Sequence, residues 1–490
     1  MSSSPAFDPY EMHADAIQDP PQSFLSALRM IGPGIILAGT IVGSGELLLT
    51  TALGAKNGFV FLWLILFSCV IKVFVQIEIG RYAISSGKPT LGALNALGGL
   101  KLGANWLAWW WLLMMLATVF QLGAMTGTVG QSLHLAFPNV AGVIQQVTQV
   151  LPAWIAEPCG RRPEIPWALL TCGIALALLW SGSYRRIEIV TTAIVVSVTL
   201  LTVTATMLLP WTPYPIPWGE VIGGLRPQIP QADLGAIATA FGVFGITGVG
   251  ATELFYYPYW CLEKGYARYV GPPDGSDAWN RRARGWIRVM YLDAWTSMIV
   301  FTISTVSFYF MGASVLKPQG LDPKGTEMIA TLSHMFVDTF GNWTRIVFLI
   351  GAGAVLFKTL YLSCAGNARL MADFLSLAGA LKFYSGTERA TCIQRLSLGF
   401  PVLALLLYLI FANPKTMTVV GGFAQAATLP MIAITTLYFR YRRMDRSLAP
   451  SLAWDIMLWI AVVSITIVAT YAVWDSMGTI YSLVLPASKK

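Results

Sequence analysis

Eleven apolar runs, separated by short breaks rich in charge, proline or glycine, succeed one another along this chain of 490 residues. They lie near residues 31–53, 59–83, 104–133, 166–182, 188–209, 235–260, 287–312, 344–368, 395–412, 418–439 and 454–475. Roughly 20 mainly apolar residues carry a helix across the hydrocarbon core of a bilayer. Inside that core every backbone N–H and C=O needs a partner within the protein, which a helix supplies locally. The runs lack the short alternation of barrel strands. The expected fold is therefore an all-α membrane protein with about eleven transmembrane helices. Composition agrees, with 56% hydrophobic and only 11% charged residues and a mean hydropathy of +0.63. A water-soluble domain carries about a quarter of its residues as charges. Soluble enzymes, nucleic-acid binders and disordered hubs are all excluded on this ground.

The few charges orient the chain. Lys and Arg number 32 against 24 Asp and Glu, a formal charge of +8. With the N-terminus inside, 20 of these cations fall on inner segments and 10 on outer ones, the bias expected of a cytoplasmic N-terminus. The reading is a multi-pass protein of a bacterial inner membrane, its C-terminus outside. Its basic excess meets anionic lipid headgroups and no nucleic acid. Residues 1–28 are polar, with Asp8, Glu11, Asp15 and Asp19, and are read as a cytoplasmic tail rather than a signal peptide. The six cysteines show no metal spacing or disulfide framework, and His13, His134 and His334 avoid the middle of any run. No nucleophile–base pair, phosphate loop or hydrolase motif is present. Neither a catalytic residue nor a cofactor is expected, and protein partners are left unspecified.

The first and sixth runs are interrupted by glycine. The first contains Gly32-Pro33-Gly34, Gly39 and then Val42-Gly43-Ser44-Gly45-Glu46; the sixth contains Gly242, Gly245 and Gly248, then Val249-Gly250-Ala251-Thr252-Glu253. Each interruption has the form VGxxE, and each opens a block of five runs. An odd block repeats in the opposite sense through the membrane. Matched broken helices in two such halves point to a midplane site in an inverted-repeat transporter. The chain then divides into a tail 1–28, a first block 29–209, an external loop 210–234, a second block 235–440, and a last helix with the C-terminus, 441–490. Glycine lets the backbone leave the helix at low cost, and the freed polar groups are available to an ion or solute. The plain alternative is that these glycines serve close helix packing.

A carboxylate at the bilayer centre costs at least a few kcal/mol and marks function. Glu46 and Glu253 are thus the expected charged ligands. Gly43, Gly45, Val249, Gly250 and Ala251 supply broken backbone and Thr252 a hydroxyl. Lys358, in the middle of the eighth run, is the expected counter-charge or coupling group, either paired with a carboxylate or standing where a coupling sodium sits. Lys72 is read as snorkelling or pairing locally, and Asp293 as an interfacial carboxylate.

These residues resemble a known family. Gly32-Pro33-Gly34 followed by Leu53-Gly54-Ala55-Lys56-Asn57-Gly58 resembles helix 1 of the Nramp divalent-metal transporters. Arg81-Tyr82-Ala83, Tyr184-Arg185-Arg186-Ile187-Glu188, Ala365-Gly366-Asn367 and Leu429-Pro430 extend the likeness over most of the chain. The resemblance implies a LeuT-like 5+5 inverted repeat with helices 1 and 6 broken, and a secondary transporter, a symporter, of divalent cations. It also places Gln425 and Thr428 near an accessory polar ligand on helix 10. The metal motifs themselves are altered. Where the family has Asp-Pro-Gly-Asn this chain has Gly43-Ser44-Gly45-Glu46, and where it has Met-Pro-His the chain has Val249-Gly250-Ala251. A helix-6 alignment slipped by a few residues moves the His position to Tyr256. The acidic residues of the family's proton route fall at about Gln121 and Ala124. Carboxylates and carbonyls favour hard cations such as magnesium, whereas the lost thioether favours transition metals. A competing reading is an amino-acid or other small organic solute. The run Ile41-Val42-Gly43-Ser44-Gly45 also resembles the first helix of amino-acid transporters, and Phe255, Tyr256, Tyr257, Tyr259 and Trp260 offer an aromatic wall.

Overall fold

The computed structural model describes residues 10–43, 45–138, 162–180, 184–228, 240, 243–245, 247–321, 323 and 328–484. The helices that fall on the eleven apolar runs, labelled in chain order, begin with α1, a pair Pro33–Ile41 and Gly45–Asn57 bent by 44°. There follow α2 (Leu62–Ser86), α3 (Trp106–Ala136), α4 (Ile165–Leu179), α5 (Tyr184–Leu208), α6 (Ala251–Lys264), α7 (Asp277–Met311), α8 (Thr344–Leu377), α9 (Gly386–Phe411), α10 (Pro414–Tyr438) and α11 (Leu452–Val484). Among the described residues, eight helices are long and apolar enough to cross a membrane, and the bent pair makes a ninth. α4 is a shorter apolar helix of 15 residues. α6 is the second half of the sixth run, whose first half lies largely outside the described residues. Each of the eleven runs thus has its helix. The strands among the described residues are Lys101–Leu102 and Ala104–Asn105, an antiparallel ladder just before α3.

Local chemistry sets the helix ends. The side chains of Asn105, Ser276, Ser385 and Asn413 each accept a hydrogen bond from a backbone N–H in the first turn of α3, α7, α9 and α10. Pro414 follows its cap at the first helical position. α2 stops at Gly87, whose φ of +67° lies in the left-handed region that favours glycine.

Apolar side chains face outward in stripes: Leu169, Leu170 and Ile174 on α4; Ile189, Val196 and Leu200 on α5; Leu403, Leu406 and Ile410 on α9; Ile456, Ile460 and Ile467 on α11. Such stripes are tolerable only where lipid replaces water. The first half of α1 is enclosed by α5, α6, α7 and α8, and Ile36, Leu37 and Ala38 are fully buried. A helix end here meets no bulk water. Its orphan carbonyls need partners from the protein.

Some glycines do serve packing. A Cβ on Gly54 would come within 2.6 Å of the Tyr309 carbonyl on α7. Those at the two breaks do something else.

Candidate ion site at two broken helices

The first half of α1 ends at Ile41, and Val42 leaves helical geometry with ψ of 77°. The helix resumes at Gly45 with a wide π turn over Gly45–Thr50, a form common at functional sites. Ser44 lies outside the described residues. In the sixth run residues 243–245 are helical, Gly248 turns the chain with φ of +71°, and α6 restarts after an extended Gly250. Gly242 lies outside the described residues. Both interruptions therefore occur where the glycines place them.

Glu46 is wholly buried and touches both breaks. It accepts hydrogen bonds from the Gly43 N–H at 3.3 Å and the Gly248 N–H at 3.3 Å. The hydroxyls of Thr50 and Thr247 meet at 3.3 Å beside it. Glu253 is placed differently. It is partly exposed to a cavity, and its Oε2 lies 2.6 Å from where a Cβ on Gly250 would stand. The missing side chain of Gly250 is the room its carboxylate occupies.

That cavity, about 40 Å³, is lined by Glu46 and Glu253 together with Thr40, Gln121, Thr252 and Gln425, among others. One water needs about 10–15 Å³ by this measure, so the space suits a few waters or a small ion. Thr252 donates to Gln425 Oε1 at 2.6 Å, and Gln425 Nε2 donates to Gln121 Oε1 at 2.9 Å. This chain of neutral oxygens and amides links α6, α10 and α3. Among the described residues, no three His, Cys, Asp or Glu side chains converge as a metal-binding group.

Of the residues singled out from sequence, Glu46, Gly45, Thr252, Glu253 and Gln425 line the cavity; Gly43, Val249, Gly250, Lys358 and Thr428 stand outside its lining. Gly43 lies against α8, where a Cβ would come within 3.0 Å of Thr359 Cγ2. Val249 and Ala251 are fully buried. Thr428 bonds to the Ala424 carbonyl and accepts from the Trp110 indole at 3.1 Å. Of the five aromatics following Glu253, Tyr256 alone reaches the cavity. Tyr257 binds Asp293 and Tyr259 binds Asp373, while Trp260 lies beneath Arg369.

Three buried charged residues serve backbone groups at helix ends and breaks. Lys358 forms no ion pair with either carboxylate among the described residues; it donates to the Val42 carbonyl at 2.6 Å, at the end of the first half of α1. Lys72 does not snorkel. It is wholly buried and donates to the carbonyls of Phe244, Gly245 and Thr247. Asp293 is fully buried and accepts from the N–H groups of Gly32 and Gly34 at 2.8 and 2.6 Å. A carboxylate there caps the positive end of the first half of α1. Sequence reasoning assigned no role to Lys72, though its position inside an apolar run, four residues after Ser68, was the available signal.

Comparison with known proteins now decides the family. The model of the natural resistance-associated macrophage protein-like family, Nramp, matches residues 34–475. The chain belongs to the Nramp family. This is a family of transporters and its members are integral membrane proteins. No curated protein matches this Nramp chain. Among solved structures it is similar to a histidine-to-alanine mutant of the Eremococcus coleocola manganese transporter. The TM-score is 0.71 at 15% identity, covering 98% of this chain and 93% of that one. It is also similar to a nucleobase-cation-symport-1 family transporter with bromovinylhydantoin bound (TM-score 0.54, 14% identity, 92% and 93% covered). A third is MhsT in complex with L-phenylalanine (TM-score 0.52, 17% identity, 93% and 100% covered). At such identities the likeness is one of fold. This Nramp protein has the LeuT-like fold, with helices 1 and 6 broken.

Proposed function

We propose that this Nramp protein is a secondary transporter that moves a divalent cation across the membrane by alternating access between the blocks 29–209 and 235–440. The observation that carries the proposal is the pair of carboxylates, Glu46 and Glu253, brought from the two breaks to one small cavity. Two acidic groups facing one space attract a cation. The solved manganese transporter of the same fold is in keeping with a metal cargo. The lining holds no thiolate or imidazole and a single thioether, Met125, against the oxygens of two carboxylates, amides and hydroxyls, so the first shell would be mainly oxygen. That set suits a hard ion such as magnesium, or manganese, better than copper or zinc. Gln121 in place of an acidic residue argues against the family's usual proton route.

Alternating access requires one end of the site to open. Arg369 on α8 forks onto Glu263 of α6 at 2.6 and 2.9 Å, and Lys264 of α6 pairs with Glu188 of α5 at 2.6 Å. These pairs would release when the α6 end moves. The Lys and Arg bias places that end on the cytoplasmic side.

A small organic solute is the second reading, favoured by the amide and hydroxyl walls and by Lys72 and Lys358, which balance the two carboxylates. The cavity volume weighs against it, since ligand pockets run to about 300–1,000 Å³. Isothermal titration of the purified protein with magnesium, manganese and calcium, then an amino-acid panel, tests both. Heat from a divalent cation that vanishes in Glu253→Gln is the expected result. Silence for all metals with saturable heat from one organic solute would overturn the proposal.

A further inference from the structure

The helical residues 243–245 described before the second break lead into carbonyls that have no helical continuation. Phe244, Gly245 and Thr247 all present C=O groups to one point, and the Lys72 ammonium occupies that point. It lies 3.3 Å from the Gly245 oxygen and 2.8 Å from the Thr247 oxygen, with the Phe244 carbonyl also in contact. The ring of Phe244 closes one side, its centroid 4.8 Å from the nitrogen. The Ser68 hydroxyl, one turn earlier on α2, stands 3.0 Å from both the Phe244 and the Thr247 carbonyls and shares its one proton between them.

An ammonium has three donors and no acceptor, and here it meets three acceptors. A helix C-terminus carries about half a negative charge, and this one is sealed from water: Lys72 and Ser68 are both fully buried. Three inward carbonyls at a helix end, sealed and faced by a π surface, are what a dehydrated monovalent cation would need. The same arrangement recurs, with one carbonyl, where Lys358 meets Val42 at the other break. Thr359 beside it donates to the Gly39 carbonyl at 3.4 Å.

We propose that Lys72 is a tethered cation, filling with its own ammonium a monovalent-cation seat made by the carbonyls of Phe244, Gly245 and Thr247. The protein therefore holds its second broken helix without a bound sodium or potassium ion. Its consequence for transport, independence from a monovalent co-ion, rests on the transporter reading above; its consequence for stability does not.

Truncation tests the seat. Lys72→Ala removes the ammonium and the stem and opens the space, whereas Lys72→Met removes the charge but keeps the stem in place. Thermal unfolding of each purified protein is followed in choline chloride and then in sodium or potassium chloride at equal ionic strength. Wild type should unfold at the same temperature in all three salts. Lys72→Ala should unfold at a lower temperature in choline and recover in sodium or potassium, with saturation. Lys72→Met should be lowered and should not recover. A Lys72→Ala protein as stable as wild type in choline, or one that folds with lowered stability and is rescued by no small cation, overturns the proposal.

If Lys72→Ala does not fold in any salt, the wild type still decides. Uptake into liposomes, and thermal stability, that both require sodium or potassium would mean the seat is elsewhere and empty of its ammonium, and would overturn it. Equal stability and equal uptake of wild type in choline, sodium and potassium would support it. Absence of any divalent-cation uptake alongside the expected salt pattern would remove the metal reading and leave the tethered cation standing.

Discussion

The two breaks share the pattern VGxxE, yet their carboxylates are used differently. Glu46 turns inward, wholly buried, and its oxygens hold one N–H from each break. It ties the two interruptions together. Glu253 lies over Gly250 and faces the cavity. The carbonyl ends differ as well: one lysine contact to Val42 closes the first break, while Lys72 gathers three carbonyls at the second. A repeated sequence pattern thus supplies the same break twice, but neighbouring helices assign each carboxylate its work. Glu253 is the freer ligand, and Glu46 has a structural part that a metal ligand alone would not have.

Replacing Glu46 with Gln is the harshest test of that difference. It removes the charge and sets an amide N–H₂ against a backbone N–H. Cation uptake should fall by about 100-fold or more, the worth of roughly 3 kcal/mol, and the unfolding temperature should drop with it. Normal stability would show that Glu46 is a ligand like its counterpart. Glu253→Gln should come next: titration calorimetry should show divalent binding weakened by at least about tenfold, or 1.4 kcal/mol, with thermal stability held near wild type. A fall in stability equal to that of Glu46→Gln would erase the distinction between the breaks.

Lys358→Met leaves the buried Val42 carbonyl unpaired, at a cost of about 1–3 kcal/mol. Denaturant unfolding reads it, and a neutral result would leave Lys358 without a part in the first break. Gly248→Ala puts a side chain at φ of +71° and should cost about 1–2 kcal/mol. Gly250→Ala, by contrast, should displace the Glu253 carboxylate and weaken cation binding more than stability. The smallest effect belongs to Thr428→Val. It loses the hydrogen bond accepted from Trp110 and the one donated to the Ala424 carbonyl, each worth about 0.5–1.5 kcal/mol, and uptake should be unchanged; a large loss of uptake would return Thr428 to the site.

Much of the fold was readable because a bilayer makes the signal local. Each apolar run had to be a helix, and each of the eleven has one. The breaks were readable too, because glycine clusters and an intramembrane carboxylate are both costly in a helix and occurred twice. Lys358 was assigned to the right helix and the right neighbour, with either a carboxylate partner or the place of a coupling sodium expected; its partner is the Val42 carbonyl. Lys72 was passed over, since nothing within a turn of it explains its charge. Its partners lie 172 to 175 residues away. Asp293 was read as an interfacial carboxylate near the inner end of its helix, and its cap on α1 went unseen because its partners lie 259 to 261 residues away.

Composition and run length by themselves determined that this chain spans a membrane as helices, where it is interrupted, and which acidic groups stand inside. Those properties follow from transfer free energies and backbone geometry, which act residue by residue along the chain. The tertiary structure alone decided which helix end each buried charge serves. Orphan carbonyls and N–H groups at a break accept any suitable partner, and only the packing of α2, α7 and α8 around the broken helices brings one particular lysine or carboxylate within reach.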